Sequence, residues 1–327
     1  MLALLCVLVA AATAAPAPEA IALPGGPPAV MDYLAYDAKT DRVWAPAGNT
    51  GKVDVIDAKT GKVTPIDGWE TNKVKWHDAE RVVGPSSASV GDGVVYVGNR
   101  AGFKVCAVDA KSLEKKGCVT LPSSPDGVAY VATTSEVWVT TPHDDSLTIL
   151  DVKSAAAPKL AGTVKVDGPE GYAVDAGRGL FYTNLEDKDR TVVFDVKTRK
   201  QVAAWNPGCG KEGPRGLALD VERRHLFVAC ATGAVKTLDA GKDGAVLGEV
   251  QAGAGLDNID YLASKHLVYA AGGRAGTLTV VEDAANGALK KVSSAKSCDG
   301  GRGVVVDARG TAYVADSKGG RLVVLKP

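Results

Sequence analysis

The sequence has no excess of charge of either sign. Its 327 residues include 38 Lys and Arg and 38 Asp and Glu, so the formal net charge is zero. No run of like charges forms a basic stripe. A neutral chain lacks the electrostatic attraction that nucleic acids and anionic membranes offer to basic proteins. We therefore expect neither of them as a partner.

Motifs for redox, metal and hydrolytic chemistry are equally scarce. The six cysteines form no C-x-x-C or C-x-x-C-H motif, which leaves a thiol-redox site, a zinc ribbon and c-type haem without support. The sequence also has no G-x-S-x-G elbow, no H-E-x-x-H helix and no P-loop. No reaction follows from these motifs, and a role without catalysis is favoured.

Apolar runs long enough to cross a membrane are missing too. The nearest approach is at the N-terminus, where residues 1–14 form a short apolar core that ends in the small residues Ala12-Thr13-Ala14. This pattern is typical of a secretory signal peptide. We expect a signal peptide and short linker over residues 1–18, cleaved near Ala14, and a single periplasmic or secreted domain over residues 19–327.

The five later cysteines agree with an oxidising compartment. Cys106 and Cys118 flank one predicted hairpin turn, and Cys209 and Cys230 fall on one predicted face. Either pair is able to form a disulfide. The alternative for Cys230 is a plain buried apolar residue. Cys298 is left over.

Short β-strands in a repeating order are what the sequence has in abundance. The stretch 168–205 holds four apolar runs joined by tight turns, which predicts a four-stranded antiparallel sheet. An Asp that ends the third strand recurs 42–52 residues apart, at Asp57, Asp109, Asp151, Asp195 and Asp239. Repeats of about 40–50 residues with four strands each are typical of β-propellers. Seven copies are visible, at roughly 31–69, 84–122, 126–167, 169–206, 214–253, 257–295 and 301–326.

The ends of the chain predict how the ring closes. The last copy supplies three strands, and residues 20–24 match the usual fourth strand of a copy. We therefore predict an all-β fold, a seven-bladed β-propeller of four-stranded antiparallel blades closed by the N-terminal strand. A polar insertion at 70–83 is expected to extend an outer strand or a loop.

Several of these strands carry a family signature. Phe181-Tyr182-Thr183-Asn184 resembles the Tyr-Val-Thr-Asn signature of the YVTN-repeat, YncE-like propellers, and residues 53–63 are similar to that family's turn between third and fourth strands. The resemblance covers nearly all of the mature chain. It implies a seven-bladed, WD-like propeller of a largely exported family without an assigned reaction, and it transfers no catalytic residues.

Function is expected where the copies differ from one another. The first residue of each inner strand faces the central channel, and these positions are polar and mixed in sign. They are Asp32, Ser86, Asp126, Glu170, Arg215, Asp257, Asn258 and Arg302. Arg215 and Arg302 suit a small anion, whereas the carboxylates suit a cation. The alternative is a solvated mouth whose charges neutralise one another.

The loops between second and third strands share that face of the ring. They contribute Asn49, Asn99, Arg100, His143, Asp144, Asn184, Arg274 and Asp316. His143 is the most suggestive, because a His beside the carboxylates of Asp144 and Asp145 suits a base or a metal ligand. An exposed loop is the alternative.

Two functions remain. The first is an exported propeller that binds a small ligand or protein partner through its channel face, without catalysis or cofactor. The alternative is a metal-dependent hydrolase of the lactonase type, similar in fold only. There a divalent cation such as calcium, held by Asp32, Asp126, Glu170 and Asn258, would polarise a lactone carbonyl.

Overall fold

Strands dominate the described part of the chain. The computed structural model describes residues 18–76 and 79–327. The signal peptide and cleavage point predicted near Ala14 lie outside the described residues, as does His77. The strands form seven four-stranded antiparallel sheets and one two-stranded hairpin. The innermost strands of consecutive sheets touch in order, and the first touches the last. The chain is therefore a seven-bladed β-propeller, as the sequence predicts.

The strands are numbered in chain order. The first fifteen are β1 (Glu19–Ala22), β2 (Ala35–Asp37), β3 (Arg42–Ala47), β4 (Lys52–Asp57), β5 (Val63–Ile66), β6 (Asn72–Trp76), β7 (Ala79–Val83), β8 (Pro85–Val90), β9 (Val94–Asn99), β10 (Lys104–Asp109), β11 (Lys115–Thr120), β12 (Val128–Val131), β13 (Glu136–Thr141), β14 (Ser146–Asp151) and β15 (Lys159–Lys165). The others are β16 (Pro169–Asp175), β17 (Leu180–Leu185), β18 (Arg190–Asp195), β19 (Lys200–Trp205), β20 (Pro214–Asp220), β21 (His225–Cys230), β22 (Ala234–Asp239), β23 (Val246–Gln251), β24 (Leu256–Leu262), β25 (Leu267–Gly272), β26 (Thr277–Asp283), β27 (Leu289–Lys296), β28 (Val304–Val306), β29 (Ala312–Asp316) and β30 (Arg321–Leu325). Single turns of 3-10 helix cover Gly48–Thr50, Pro142–Asp144, Glu186–Lys188, Gly210–Glu212 and Ala263–Lys265.

Blades 1 to 7 follow this order from the inner to the outer strand. Blade 1 is β2 to β5, and blades 2 to 6 are β8–β11, β12–β15, β16–β19, β20–β23 and β24–β27. Blade 7 combines β28, β29 and β30 with β1 as its outer strand. The register pairs Glu19 with Val324 and Ala22 with Arg321. The predicted closure by the N-terminal strand is confirmed, with the strand over 19–22.

The core lies between neighbouring blades. Trp138 of blade 3 packs on Phe181 and Phe194 of blade 4, with ring centroids 5.0 and 6.4 Å apart. All three side chains are buried. Alternate residues of a strand face opposite sides, so each blade has two apolar faces and needs a neighbour on both. Burial of a Phe-sized side chain contributes about 1.5–3 kcal/mol.

The repeated Asp residues stabilise turns. Asp57 Oδ1 accepts hydrogen bonds from the backbone N–H groups of Lys59 and Thr60, at 3.1 and 2.8 Å. Asp195 does the same for Thr198 at 2.7 Å. A short carboxylate that accepts from backbone two and three residues ahead fixes a tight turn. The period that reveals the propeller therefore has a structural cause.

The insertion at 70–83 forms its own hairpin. Strands β6 and β7 pair with each other, Asn72 opposite Val83, and β7 packs beside the turn at Gly48–Thr50. This differs from the expected extension of an outer strand or loop. Trp69 is buried between blades 1 and 2, and its backbone N–H donates to Gly51 O at 3.1 Å. That contact directs the following residues away from the outer edge of blade 1, onto the face that carries the channel mouth.

Two disulfides join cysteines of the described residues. Cys106 and Cys118 face each other across β10 and β11, and Cys209, in the loop after blade 4, joins Cys230 of blade 5. Both pairs that the sequence allows are therefore disulfide-bonded. Cys298 is a buried thiol. None of the helices in the described part of the chain has the length and apolar character that a membrane crossing needs.

Candidate ligand site at the channel mouth

The first residues of the inner strands converge at one end of the channel because glycines follow two of them. A Cβ on Gly171 would lie 2.4 Å from the carbonyl oxygen of Arg215, and one on Gly216 would lie 2.4 Å from that of Asp257. Neither distance is possible for a real Cβ. The glycines thus let blades 4, 5 and 6 approach closely enough to bring Glu170, Arg215 and Asp257 to one mouth.

Arg100 organises the carboxylates on one side of this mouth. It extends from the loop between β9 and β10, and one of its terminal nitrogens donates to Asp32 Oδ2 at 2.7 Å and also to Asp126 Oδ1. The three side chains are largely buried, with Arg100 the most exposed at 26%. A buried guanidinium between two carboxylates compensates the cost of removing those charges from water. The sequence predicts that Arg100 lies on this face of the ring, but it does not predict that Arg100 bridges Asp32 and Asp126.

Glu170 is a neutral acid at the same mouth. Burial and the nearby negative charge of Asp126 raise the pKa of Glu170 to about 9. Burial also raises the pKa of Asp126, to which Glu170 is hydrogen-bonded. A carboxyl with so high a pKa holds its proton at neutral pH. Glu170 therefore donates the hydrogen bond and Asp126 accepts it.

Two tyrosines lie at the inner side of this cluster. The rings of Tyr33 and Tyr172 stack with centroids 5.7 Å apart. Tyr33 Oη donates to Asp126 Oδ2 at 3.3 Å, and burial together with that carboxylate raises the pKa of Tyr33. Both rings line one end of a cavity of about 500 Å³ in the central channel. No pattern in the sequence marks the pair, because they belong to different blades.

Three arginines occupy the other side of the mouth. Arg302 Nε lies 3.1 Å from Asp257 Oδ2. Arg274, from the loop after β25, pairs with Glu212 at 2.5 Å. Arg215 pairs with Glu186, a loop residue that no pattern in the sequence marks. The loop carboxylates were missed because acidic loop residues are common on any soluble protein and their sequence context is ordinary.

The other predicted residues are distributed unevenly. Asn258 is buried at the mouth and Nδ2 donates to the backbone oxygen of Asp32 at 3.5 Å. Ser86 is buried, and its hydroxyl has no hydrogen-bond partner among the described residues. His143 is exposed in the turn Pro142–Asp144 and lines neither the cavity in the central channel nor the pocket formed by Arg215, Arg274 and Arg302. His143 is therefore not among the residues that line these cavities.

Arg100 competes with a metal ion for the carboxylates of the mouth. Its guanidinium occupies one oxygen atom each of Asp32 and Asp126 that a cation would need. Across the described residues, no group of three or more His, Cys, Asp or Glu side chains is arranged to hold a metal. Calcium bound by Asp32, Asp126, Glu170 and Asn258 stays a prediction that metal analysis has to test.

Comparison with known proteins supports the fold. No family model matches the chain, and no curated protein sequence matches it either. Among solved structures, a chain in the crystal structure of a mitotic checkpoint complex is similar at 14% identity and a TM-score of 0.76, over 100% of this chain and 99% of that one. The β-propeller domain of Cps50 (Swd1) from Myceliophteria thermophila is 13% identical with a TM-score of 0.72, over 94% and 99%. The hydrazine synthase of Kuenenia stuttgartiensis is 12% identical with a TM-score of 0.74, over 92% and 96%.

Identities this low establish architecture alone. One of these neighbours belongs to a checkpoint assembly and another to an enzyme. The same architecture thus occurs in a protein complex and in an enzyme. Membership of the YVTN-repeat, YncE-like family stays a prediction.

Proposed function

We propose that the protein is an exported binding propeller whose channel mouth recognises a small ligand or a protein partner without catalysis. The observation that carries this proposal is the set of ion pairs at the mouth, above all Arg100 between Asp32 and Asp126. Charged donors and acceptors held in fixed positions suit recognition of a polar partner. A hydrolytic site with a serine nucleophile instead needs a base within reach of the hydroxyl. Ser86 has no such base, since its hydroxyl meets no partner among the described residues.

Export rests on cysteine chemistry. Two disulfides persist most readily in an oxidising compartment, such as the periplasm or the extracellular space. The N-terminal apolar core with its small-residue cleavage pattern supports the same location. The partner or ligand is therefore expected to be a molecule of the periplasm or the extracellular space.

A thermal-shift screen tests the proposal. Purified protein is screened in chelator against a library of polar metabolites and peptides, because a bound ligand raises the melting temperature by mass action. We expect at least one compound to stabilise the wild type and to lose its effect in Arg215→Ala. The matched control is Arg309→Ala, whose side chain pairs with Asp41 and Asp307 at the opposite end of the blades. Hits that survive Arg215→Ala but not Arg309→Ala would contradict binding at the mouth.

The hydrolase alternative is tested with the same hits. Each compound is recovered after incubation with calcium or zinc, and lactones are included. Unchanged compounds support recognition without catalysis. Metal-dependent ring opening that is lost in Asp126→Asn would contradict it.

A further inference from the structure

A pocket beside the mouth is lined by arginines from three blades. It has a volume of about 340 Å³, which is the size of a small-molecule site. Its charged lining residues are Glu212, Arg215, Asp257, Arg274 and Arg302. Each of the three arginines has one carboxylate partner, which is Glu186 for Arg215, Glu212 for Arg274 and Asp257 for Arg302.

The arginines of this pocket have N–H groups that their protein partners do not use. Arg302 reaches Asp257 through Nε, and Arg274 donates through one terminal nitrogen to Glu212 and to the backbone oxygen of Ala231 at 2.7 Å. A guanidinium carries five N–H donors in a planar fork, so these contacts leave others available to a ligand. Arg274 and Arg302 are 56% and 59% exposed, in contrast to Arg100 on the other side of the mouth.

Backbone shape gives the pocket its space. Gly255, Gly273 and Gly300 line it, and at Gly300 a Cβ would meet nothing within 4 Å. At Gly273 a Cβ would lie 3.2 Å from Cβ of Arg302, so a side chain there would press on that arginine. The glycines thus leave the guanidinium groups accessible.

We infer that this pocket binds a small ligand through a carboxylate or phosphate group held between Arg274 and Arg302, with Arg215 beside it. The inference rests on the proposed function of the mouth and names the chemistry of its ligand. Planar guanidinium groups bind both oxyanions through paired N–H donors. A purely structural role, in which these ion pairs join neighbouring blades, is a weaker account because exposed ion pairs contribute little to stability.

Isothermal titration calorimetry with two probes tests the inference. Succinate and inorganic phosphate are titrated separately into the full chain at fixed ionic strength and neutral pH. We expect saturable binding of at least one probe, weakened about tenfold or more in Arg302→Gln and in Arg274→Gln through loss of a charged hydrogen bond. Arg309→Gln, a similarly exposed arginine at the opposite end of the blades, should bind like the wild type. Melting curves verify that each variant is folded.

The two probes distinguish the sources of the oxyanion. Binding of succinate alone identifies a carboxylate ligand, and binding of phosphate alone identifies a phosphorylated one. The inference is overturned if neither probe binds at about 10 mM, or if Arg309→Gln weakens binding as much as Arg302→Gln. In that case, compounds whose thermal shift depends on Arg215 would still uphold recognition at the mouth, so the two failures are separable.

Discussion

Replacement of Asp54 by valine should stabilise the protein. Asp54 lies in the middle of β4 with 0% of its surface exposed, and neither carboxylate oxygen has a hydrogen-bond partner among the described residues. Burial raises its pKa from the ordinary 3.8 to about 6, against a smaller opposing effect of Lys52. The corresponding position of blade 4 is Val192, so the site suits a β-branched apolar side chain.

The size of the effect follows from the pKa. A shift from 3.8 to about 6 corresponds to about 3 kcal/mol of free energy of unfolding. Because the pKa is higher in the folded state, the folded protein is favoured below the unfolded pKa, and that advantage is lost as pH rises through about 6. The gain of Asp54→Val is therefore largest above pH 6 and its charge-dependent part vanishes below about pH 4.

Differential scanning calorimetry measures this gain. At about pH 8, Asp54→Val should melt roughly 5 °C above the wild type. Asp54→Asn should gain less, since its amide stays unpaired in the core. Asp92→Asn, an exposed position of blade 2, is the matched control and should change little. A melting temperature of Asp54→Val at or below that of the wild type at about pH 8 would refute the reasoning.

Three further predictions concern the ring and its mouth. Deletion of residues 19–22 leaves blade 7 with three strands, and we expect a large fall in melting temperature; an unchanged melting curve would contradict closure by β1. Replacement of Cys209 and Cys230 by alanine should lower the free energy of unfolding by about 3 kcal/mol in urea titrations. Reductant added to this variant should lower its stability only through loss of the other disulfide. Arg100→Gln leaves two buried carboxylates without their cation, so we expect a loss of about 3–5 kcal/mol at neutral pH. That loss should shrink as acid protonates the carboxylates, and a pH-independent loss would count against the charge argument.

The fold was predictable because its signals are local and repeated. Asp57 and its counterparts recur because each copy uses an Asp to form the same tight turn. Residues 20–24 resemble the outer strand of a copy in their own sequence, without reference to the rest of the chain. The hairpin over 72–83 was not foreseen, since its direction depends on the burial of Trp69 between two blades. Residues of one blade can be read from its own sequence, whereas contacts between blades cannot.

The site was predictable in position but not in chemistry. Alignment of the copies placed Asp32, Asp126 and Glu170 on one face, as the structure does. It gave no sign that Arg100 would bridge two of them, because those partners are 68 and 26 residues away along the chain. The proton on Glu170 likewise depends on burial and on charges from other blades.

The most direct test of recognition without a metal is elemental analysis of the purified, dialysed protein, combined with melting curves in the presence and absence of chelator. Since Arg100 occupies one oxygen atom each of Asp32 and Asp126, we predict no stoichiometric metal and the same melting temperature in both conditions. Stoichiometric calcium or zinc, removed by chelator with a fall in melting temperature, would contradict the account and favour the hydrolase.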